Sequence, residues 1–225
     1  EIERFPAPAK PPRRGRPKPR PVRILGVFRL AANKRPMLWL ETLAELRRIA
    51  PFAIAPRLVG SGPFLNEVIA ARRRLGLDDL EIRQFLTRPE EIYGEADALL
   101  LMSRVEGTPN VVIEAQACGL AVAASDVGGV AGAMLREGPA AGLLLDPDLA
   151  PAAAAGALAE WLPRALSAAP DTRRRFVQDR FDLADHERHG DEDAGQDDAG
   201  EAEDDLEPEV VLDEPEQPGR APQQD

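Results

Sequence analysis

From Val22 onward the chain repeats one pattern: a run of four to seven largely apolar residues, a turn, then a stretch with apolar side chains three and four positions apart. This constrains the fold more than any other feature. Strands covered on one face alternate apolar and polar residues, whereas strands covered by helices on both faces read as unbroken apolar runs. The strand candidates are "VRILGVF", "PRLVGSG", "LEIRQFL", "ADALLLM", "LAVAAS" and "GLLL". Between them lie "MLWLETLAELRRI", "PFLNEVIAARRRLGL", a short helical stretch around Glu90 to Glu95, a helix opening near Thr108 and another near Val130 to Arg136. Such alternation predicts a single doubly wound α/β domain with a mostly parallel, Rossmann-like sheet.

The flanks read differently. Residues 1–21, "EIERFPAPAKPPRRGRPKPRP", carry proline and arginine without apolar periodicity and are expected to be an extended, solvated linker. The domain then runs over residues 22–185. Within it, "LAPAAAAGALAEWLPRALSAA" predicts one or two helices broken near Pro163, and "DTRRRFVQDRFDLA" a terminal helix capped by Asp171 or Thr172. From 186 to 225 the chain holds 16 acidic and 2 basic residues, a net of −14, so the preceding 185 residues carry +3 of the total −11. This acidic tail is expected to be disordered, being too charged and too poor in apolar residues to fold alone.

Composition closes several routes. Both histidines, His186 and His189, sit at the start of the tail, which leaves the domain without a histidine base or a histidine-rich zinc site. The lone Cys118 excludes an internal disulfide and fits the reducing cytoplasm; it reads as a small buried hydrophobe. No stretch reaches the roughly 20 apolar residues of a membrane-spanning helix, which leaves peripheral attachment at the inner membrane as the membrane role open to the chain. The first 20 residues lack the apolar core of a secretion signal. Glu at position 1 leads us to expect a chain that begins partway through a longer one. The basic run near the N-terminus has no interleaved aromatics, so no nucleic-acid partner is expected. Trp39 and Trp161 fall on apolar helical faces and read as core, while Tyr93 and Asp97 read as residues that position the following strand.

Chemistry concentrates in "VEGTPNVVIEAQACG", residues 105–119. Thr108 is expected to be the N-cap, Pro109 the first helical residue and Gly119 the stop. Glu114 then lies nearly two turns in, too far to cap, and Glu106 precedes the helix in its loop. A helix N-terminus at the carboxyl end of a parallel strand attracts anions through unpaired N–H groups and the helix dipole. Two carboxylates beside such a site make sense when they accept hydrogen bonds from hydroxyl groups flanking the anion.

"EGTPNVVIEA" with "ACGLAVAASDVGG" resembles the E-x7-E region of family 4 (group 1) glycosyltransferases, retaining enzymes of the two-Rossmann-domain (GT-B) type. "RLAANK", "LVGSGP" and "YGEADALLLMS" resemble, in order, that family's arginine and lysine segment, glycine turn and run-in to the glutamate motif; "ERFPAPA" resembles the hinge leaving its N-terminal half. The resemblance covers roughly Val22 to Asp185 and identifies the donor-binding half. It implies that Arg29 and Lys34 bind the diphosphate and stabilise the charge growing on the leaving nucleotide. Glu106 would meet the donor sugar, with the backbone of Gly107, Thr108, Asn110 and Val111 facing sugar and phosphate. Glu114 would hold the ribose hydroxyls, and Gly60 and Gly62 would turn the chain beside them. The partners implied are a nucleotide diphosphate sugar, an acceptor of unknown kind and a chain supplying the N-terminal half; neither a metal nor a further cofactor is implied.

Three departures stand out. Phe28 replaces the glycine usual before the arginine and is expected to crowd the phosphate approach. Gly132 stands where many relatives carry a glutamate, and Met102 replaces a proline. A second reading is a binding module that has lost turnover and engages a basic partner through its acidic tail. A nicotinamide dehydrogenase is disfavoured, since "VRILGVFRLAANK" lacks the Gly-x-Gly-x-x-Gly of a pyrophosphate-binding first turn.

Overall fold

In the computed structural model, which describes Phe5 and residues 20–181, the apolar runs form six strands: β1 (Val22–Val27), β2 (Ile54–Val59), β3 (Glu81–Arg83), β4 (Ala98–Leu101), β5 (Ala121–Ser125) and β6 (Leu143–Leu145). Every pairing is parallel, and the order across the sheet is β3-β2-β1-β4-β5-β6. Leu25, Leu99 and Val122 stand in register on adjacent strands and are buried to 1% exposure or less. Each such side chain removed from water contributes about 1.5–3 kcal/mol. The doubly wound α/β expectation therefore holds.

Helices α1 (Pro36–Ile49), α2 (Leu65–Arg74), α3 (Pro89–Tyr93), α4 (Asn110–Ala117), α5 (Val130–Ala133), α6 (Pro151–Ser167) and α7 (Pro170–Phe181) lie among the described residues. The sheet grows outward from β1 to β3, and in the opposite direction from β4 to β6. Right-handed crossovers then place α1 and α4 on opposite faces. α1 packs on α6, and α4 on α7. Gly26 of β1 makes room for this packing, because a Cβ there would lie 2.9 Å from the Trp39 ring. Both tryptophans are core, Trp39 donating to the Leu100 carbonyl at 3.0 Å and Trp161 to that of Ala141 at 3.1 Å.

Several local expectations are corrected. α6 runs unbroken through Pro163. The buried stripe of Ala154, Ala155, Leu158, Trp161, Leu162 and Ala165 spans both sides of the proline, and that burial outweighs a penalty of about 3 kcal/mol. α7 begins at Pro170, ahead of the expected Asp171 or Thr172 cap, because a proline is suited to the first helical position. Arg173, 3% exposed, fastens α7 by donating to the carbonyls of Gly119, Ala140 and Ala165, so its positive charge meets the carbonyl ends of α4 and α6. β3 keeps only three residues of "LEIRQFL", and Phe85 beyond it is 82% exposed.

Of the segment 1–21, Arg20 forms a bidentate pair with Asp97 at 2.6 and 2.8 Å, and Phe5 packs beside Ala117 and Val177. The same Asp97 accepts the Arg23 amide at 2.8 Å, which ties β1 to the start of β4 as a strand-positioning role requires. The rest of that segment, residues 182–185 and the acidic tail lie outside the described residues. Among the described residues no helix is long and apolar enough to cross a membrane.

Candidate donor site at the carboxyl edge of the sheet

The strand order reverses between β1 and β4, so the helices that follow these two strands lie on opposite faces, and the carboxyl edge between them is the crevice where such sheets bind ligands. Arg29 and Lys34 lie in the first loop, after β1; Glu106, Gly107 and Thr108 lie in the second, after β4, which leads into α4 carrying Asn110, Val111 and Glu114.

The first loop is held against the chain following β2. The Phe28 amide donates to Val59 at 3.1 Å and the Leu30 amide to Ser61 at 2.8 Å. Gly60 (φ 153°) and Gly62 (φ 152°) sit opposite, and a Cβ on either would collide with the carbonyl of Phe28 or Leu30. Glycine is therefore required at both positions by contact as well as by backbone angle. Arg29, between those carbonyls, is exposed. The Phe28 ring does not crowd the crevice: it is 6% exposed and meets Trp39 edge-on at 5.9 Å, because burying an aromatic ring in the core is favoured over leaving it in water.

A single 3₁₀ turn, Ala32–Lys34, ends at Arg35, the one non-glycine residue with positive φ among the described residues (48°). An L-residue in this conformation is strained by about 1–2 kcal/mol. Its guanidinium offsets the strain by donating to Met102 O and Pro147 O at 2.6 Å, and to Ser103 O and Ser125 Oγ at 3.0 Å. Desolvation, then the nearby charge of Arg104, lowers the Arg35 pKa from its usual range. The Arg104 amide in turn donates to Asn33 O at 2.7 Å, so the loops after β1 and β4 are bound to each other.

That clamp sets Lys34 against Glu106. Nζ lies 2.6 Å from Oε1, with the side chains 22% and 9% exposed. The Glu106 loop is also pressed from the other side: a Cβ on Gly128 (φ 53°) would collide with the Glu106 carbonyl, and the Gly129 amide donates to Gly107 O at 2.9 Å.

The helix start departs from expectation. α4 begins at Asn110 with Pro109 as N-cap (φ −78°, ψ 98°), and no side chain caps it. Thr108 is exposed and Pro109 buried. Packing of Pro109, together with the restriction a proline places on the residue before it, holds the chain extended one residue longer. The first-turn N–H groups are thus free of a side-chain acceptor at the mouth of the crevice. The other end matches: Gly119 (φ 81°) closes a Schellman motif, its amide donating to Gln116 O and that of Leu120 to Ala115 O, both at 2.9 Å. Glu114 is half-buried, and its Oε2 accepts the Tyr93 hydroxyl at 2.5 Å. The reading of Tyr93 as only a strand-positioning residue missed this contact.

Other contributors were equally hidden. Arg35 reads in sequence as one more surface cation before a proline. The buried Gln116 locks α4 to α5, donating to Ala133 O at 2.7 Å and accepting the Leu135 amide at 2.8 Å. A cavity of about 440 Å³ lies beside the Arg35 clamp, lined by Pro36, Met37, Phe64, Arg104 and Leu149 among others. Among the described residues no group of three His, Cys, Asp or Glu side chains is placed to hold a metal ion.

The model of the family described as glycosyl transferases group 1 matches residues 21–163, more than half of the chain and all of this crevice. The chain belongs to that family. Within it, this group 1 glycosyltransferase chain is 34% identical over 126 residues to the Vi polysaccharide biosynthesis protein VipC/TviE of Salmonella typhi, covering 55% of the chain and 21% of that protein. It is 32% identical over 127 residues to the D-inositol 3-phosphate glycosyltransferase of Segniliparus rotundus, covering 53% and 28%. Its fold matches Anabaena Alr3699/HepE, solved in complex with UDP, with a TM-score of 0.62 at 21% identity over 75% of this chain and 47% of that one. The group 1 chain thus spans under a third of these two curated relatives and about half of that structural one.

Proposed function

We propose that this chain is the donor-binding half of a retaining glycosyltransferase that moves a sugar from a nucleotide diphosphate sugar to an acceptor. The observation that carries the reading is the Lys34–Glu106 pair beside the uncapped start of α4, at the point where the strand order reverses. The match of the family model across the same residues supports it.

In this proposal the diphosphate lies over the first turn of α4, drawn by the amides of Gly107, Thr108, Asn110 and Val111, and meets Lys34 and the exposed Arg29. Those cations stabilise the charge released onto the nucleotide as the sugar–oxygen bond breaks. Glu106 exchanges part of its contact with Lys34 for hydroxyls of the donor sugar, and Glu114 accepts from the ribose. Cationic side chains and a helix end serve the diphosphate, so binding proceeds without a metal. The acceptor surface comes from a second Rossmann-type half, in the same longer protein or in a partner chain.

Isothermal calorimetry with UDP, GDP and their common sugar conjugates tests the reading. Heat of binding is expected with at least one nucleotide series, and unchanged in EDTA. Absence of heat with all of them would overturn the donor-site assignment.

A further inference from the structure

We propose that Tyr93 is a positioning residue for the nucleotide: its hydroxyl fixes the Glu114 carboxylate so that one oxygen faces the ligand. The inference rests on the donor-site reading above and adds to it a residue on a different element. Tyr93 closes α3, is 1% exposed, and donates to Glu114 Oε2 at 2.5 Å. Glu114 stands on α4, and Oε1 has no donor among the described residues. A glutamate on a helix surface samples several rotamers, and a ligand that needs one of them loses affinity by the fraction of time spent elsewhere. A buried phenol pointing at one oxygen removes that freedom, because moving the carboxylate away would strand the hydroxyl without a partner. Glu114 is thereby held as an acceptor for ribose hydroxyl groups. Discrimination of this kind is steep, since a ligand lacking the hydroxyl leaves the acceptor unpaired.

Burial, then the negative Glu114 and more weakly Cys118, pushes the phenol above its usual range. Tyr93 is the only tyrosine in the chain, so the tyrosine absorbance band reports on this one phenol.

The test compares wild type, Tyr93→Phe and Glu114→Ala for binding of UDP and GDP and of their 2′,3′-dideoxy forms. Tyr93→Phe is expected to weaken the ribonucleotide by about 5- to 30-fold and to leave the dideoxy form bound as in wild type. Equal loss for both forms, or no loss while Glu114→Ala binds weakly, would overturn the role of Tyr93 and leave the donor site standing. No nucleotide bound by wild type would instead remove the reading on which it rests. Should Tyr93→Phe fail to fold, the tyrosine absorbance band of Glu114→Ala at neutral pH decides: a shift to shorter wavelength than in wild type is expected, because the phenol loses a charged acceptor, and an unmoved band would show that the contact does not exist in solution.

Discussion

Lys34 Nζ and Glu106 Oε1 lie 2.6 Å apart, joining two loops whose residues are 72 positions apart in sequence. Each is the other's counter-ion before any ligand arrives. A diphosphate therefore competes with Glu106 for Lys34, and the strength of that competition is measurable. Glu106→Gln is expected to bind UDP or GDP at least as tightly as the parent chain, because the competing charge is gone. Lys34→Ala is expected to bind about 10- to 100-fold more weakly, as befits loss of a charge-assisted contact. Calorimetry on the three proteins reads both changes, and weaker binding by Glu106→Gln would argue against the competition.

Gly60, Gly62 and Gly128 lie against backbone, whereas Gly132 faces open space. Gly60→Ala, Gly62→Ala and Gly128→Ala each drive a Cβ into a carbonyl at positive φ, and each is expected to destabilise the fold by about 2 kcal/mol or more. Gly132, in α5, has open space around its added Cβ. Gly132→Ala is expected to stabilise by about 0.5–1 kcal/mol through the entropy of the unfolded chain. Urea denaturation resolves the opposite signs.

Arg35 sets strain against bonding. Arg35→Gly relieves the left-handed backbone, yet it removes four hydrogen bonds reaching the end of β5 and the loops after β4 and β6. A net destabilisation of about 2 kcal/mol is expected. Because Lys34 is the preceding residue, nucleotide affinity should fall as well. A variant as stable as the parent, with unchanged affinity, would show that the clamp is dispensable.

Burial pushes the Cys118 thiol up from 9.0 to about 12, the charge of Arg174 opposing and that of Glu114 adding to the rise. The folded value lies above the unfolded one, so the neutral thiol's contribution to stability is complete below pH 9 and is lost as pH climbs from about 9 to about 12. At pH 8 the native protein should resist a thiol-specific reagent and react only after denaturation. Rapid labelling of the folded chain would contradict the burial.

Much of this molecule is legible one segment at a time. Unbroken apolar runs such as "ADALLLM" announced strands covered on both faces, and Gly119 announced a helix end, because side-chain patterning and the φ range open to glycine act within a few residues. Glu106 and Glu114 stood out by their places around a helix start, and Arg29 and Lys34 by the resemblance of "RLAANK"; the loops carrying Arg29, Lys34 and Glu106 leave the carboxyl edge of the sheet, and Glu114 lies on α4. Other outcomes depended on atoms remote in sequence. Pro163 passes through α6 because residues on α1 and the sheet bury that helix on both sides of it. Thr108 does not cap α4, since Pro109 is held by its packing. The Phe28 ring turned to Trp39, the Arg35 fork found carbonyls on two later loops and a hydroxyl at the end of β5, and Tyr93 met Glu114 across two helices. Backbone propensity is a local property and can be read along the chain; burial, charge pairing and hydrogen-bond partners exist only once distant segments share a space, and those were decided by the tertiary structure.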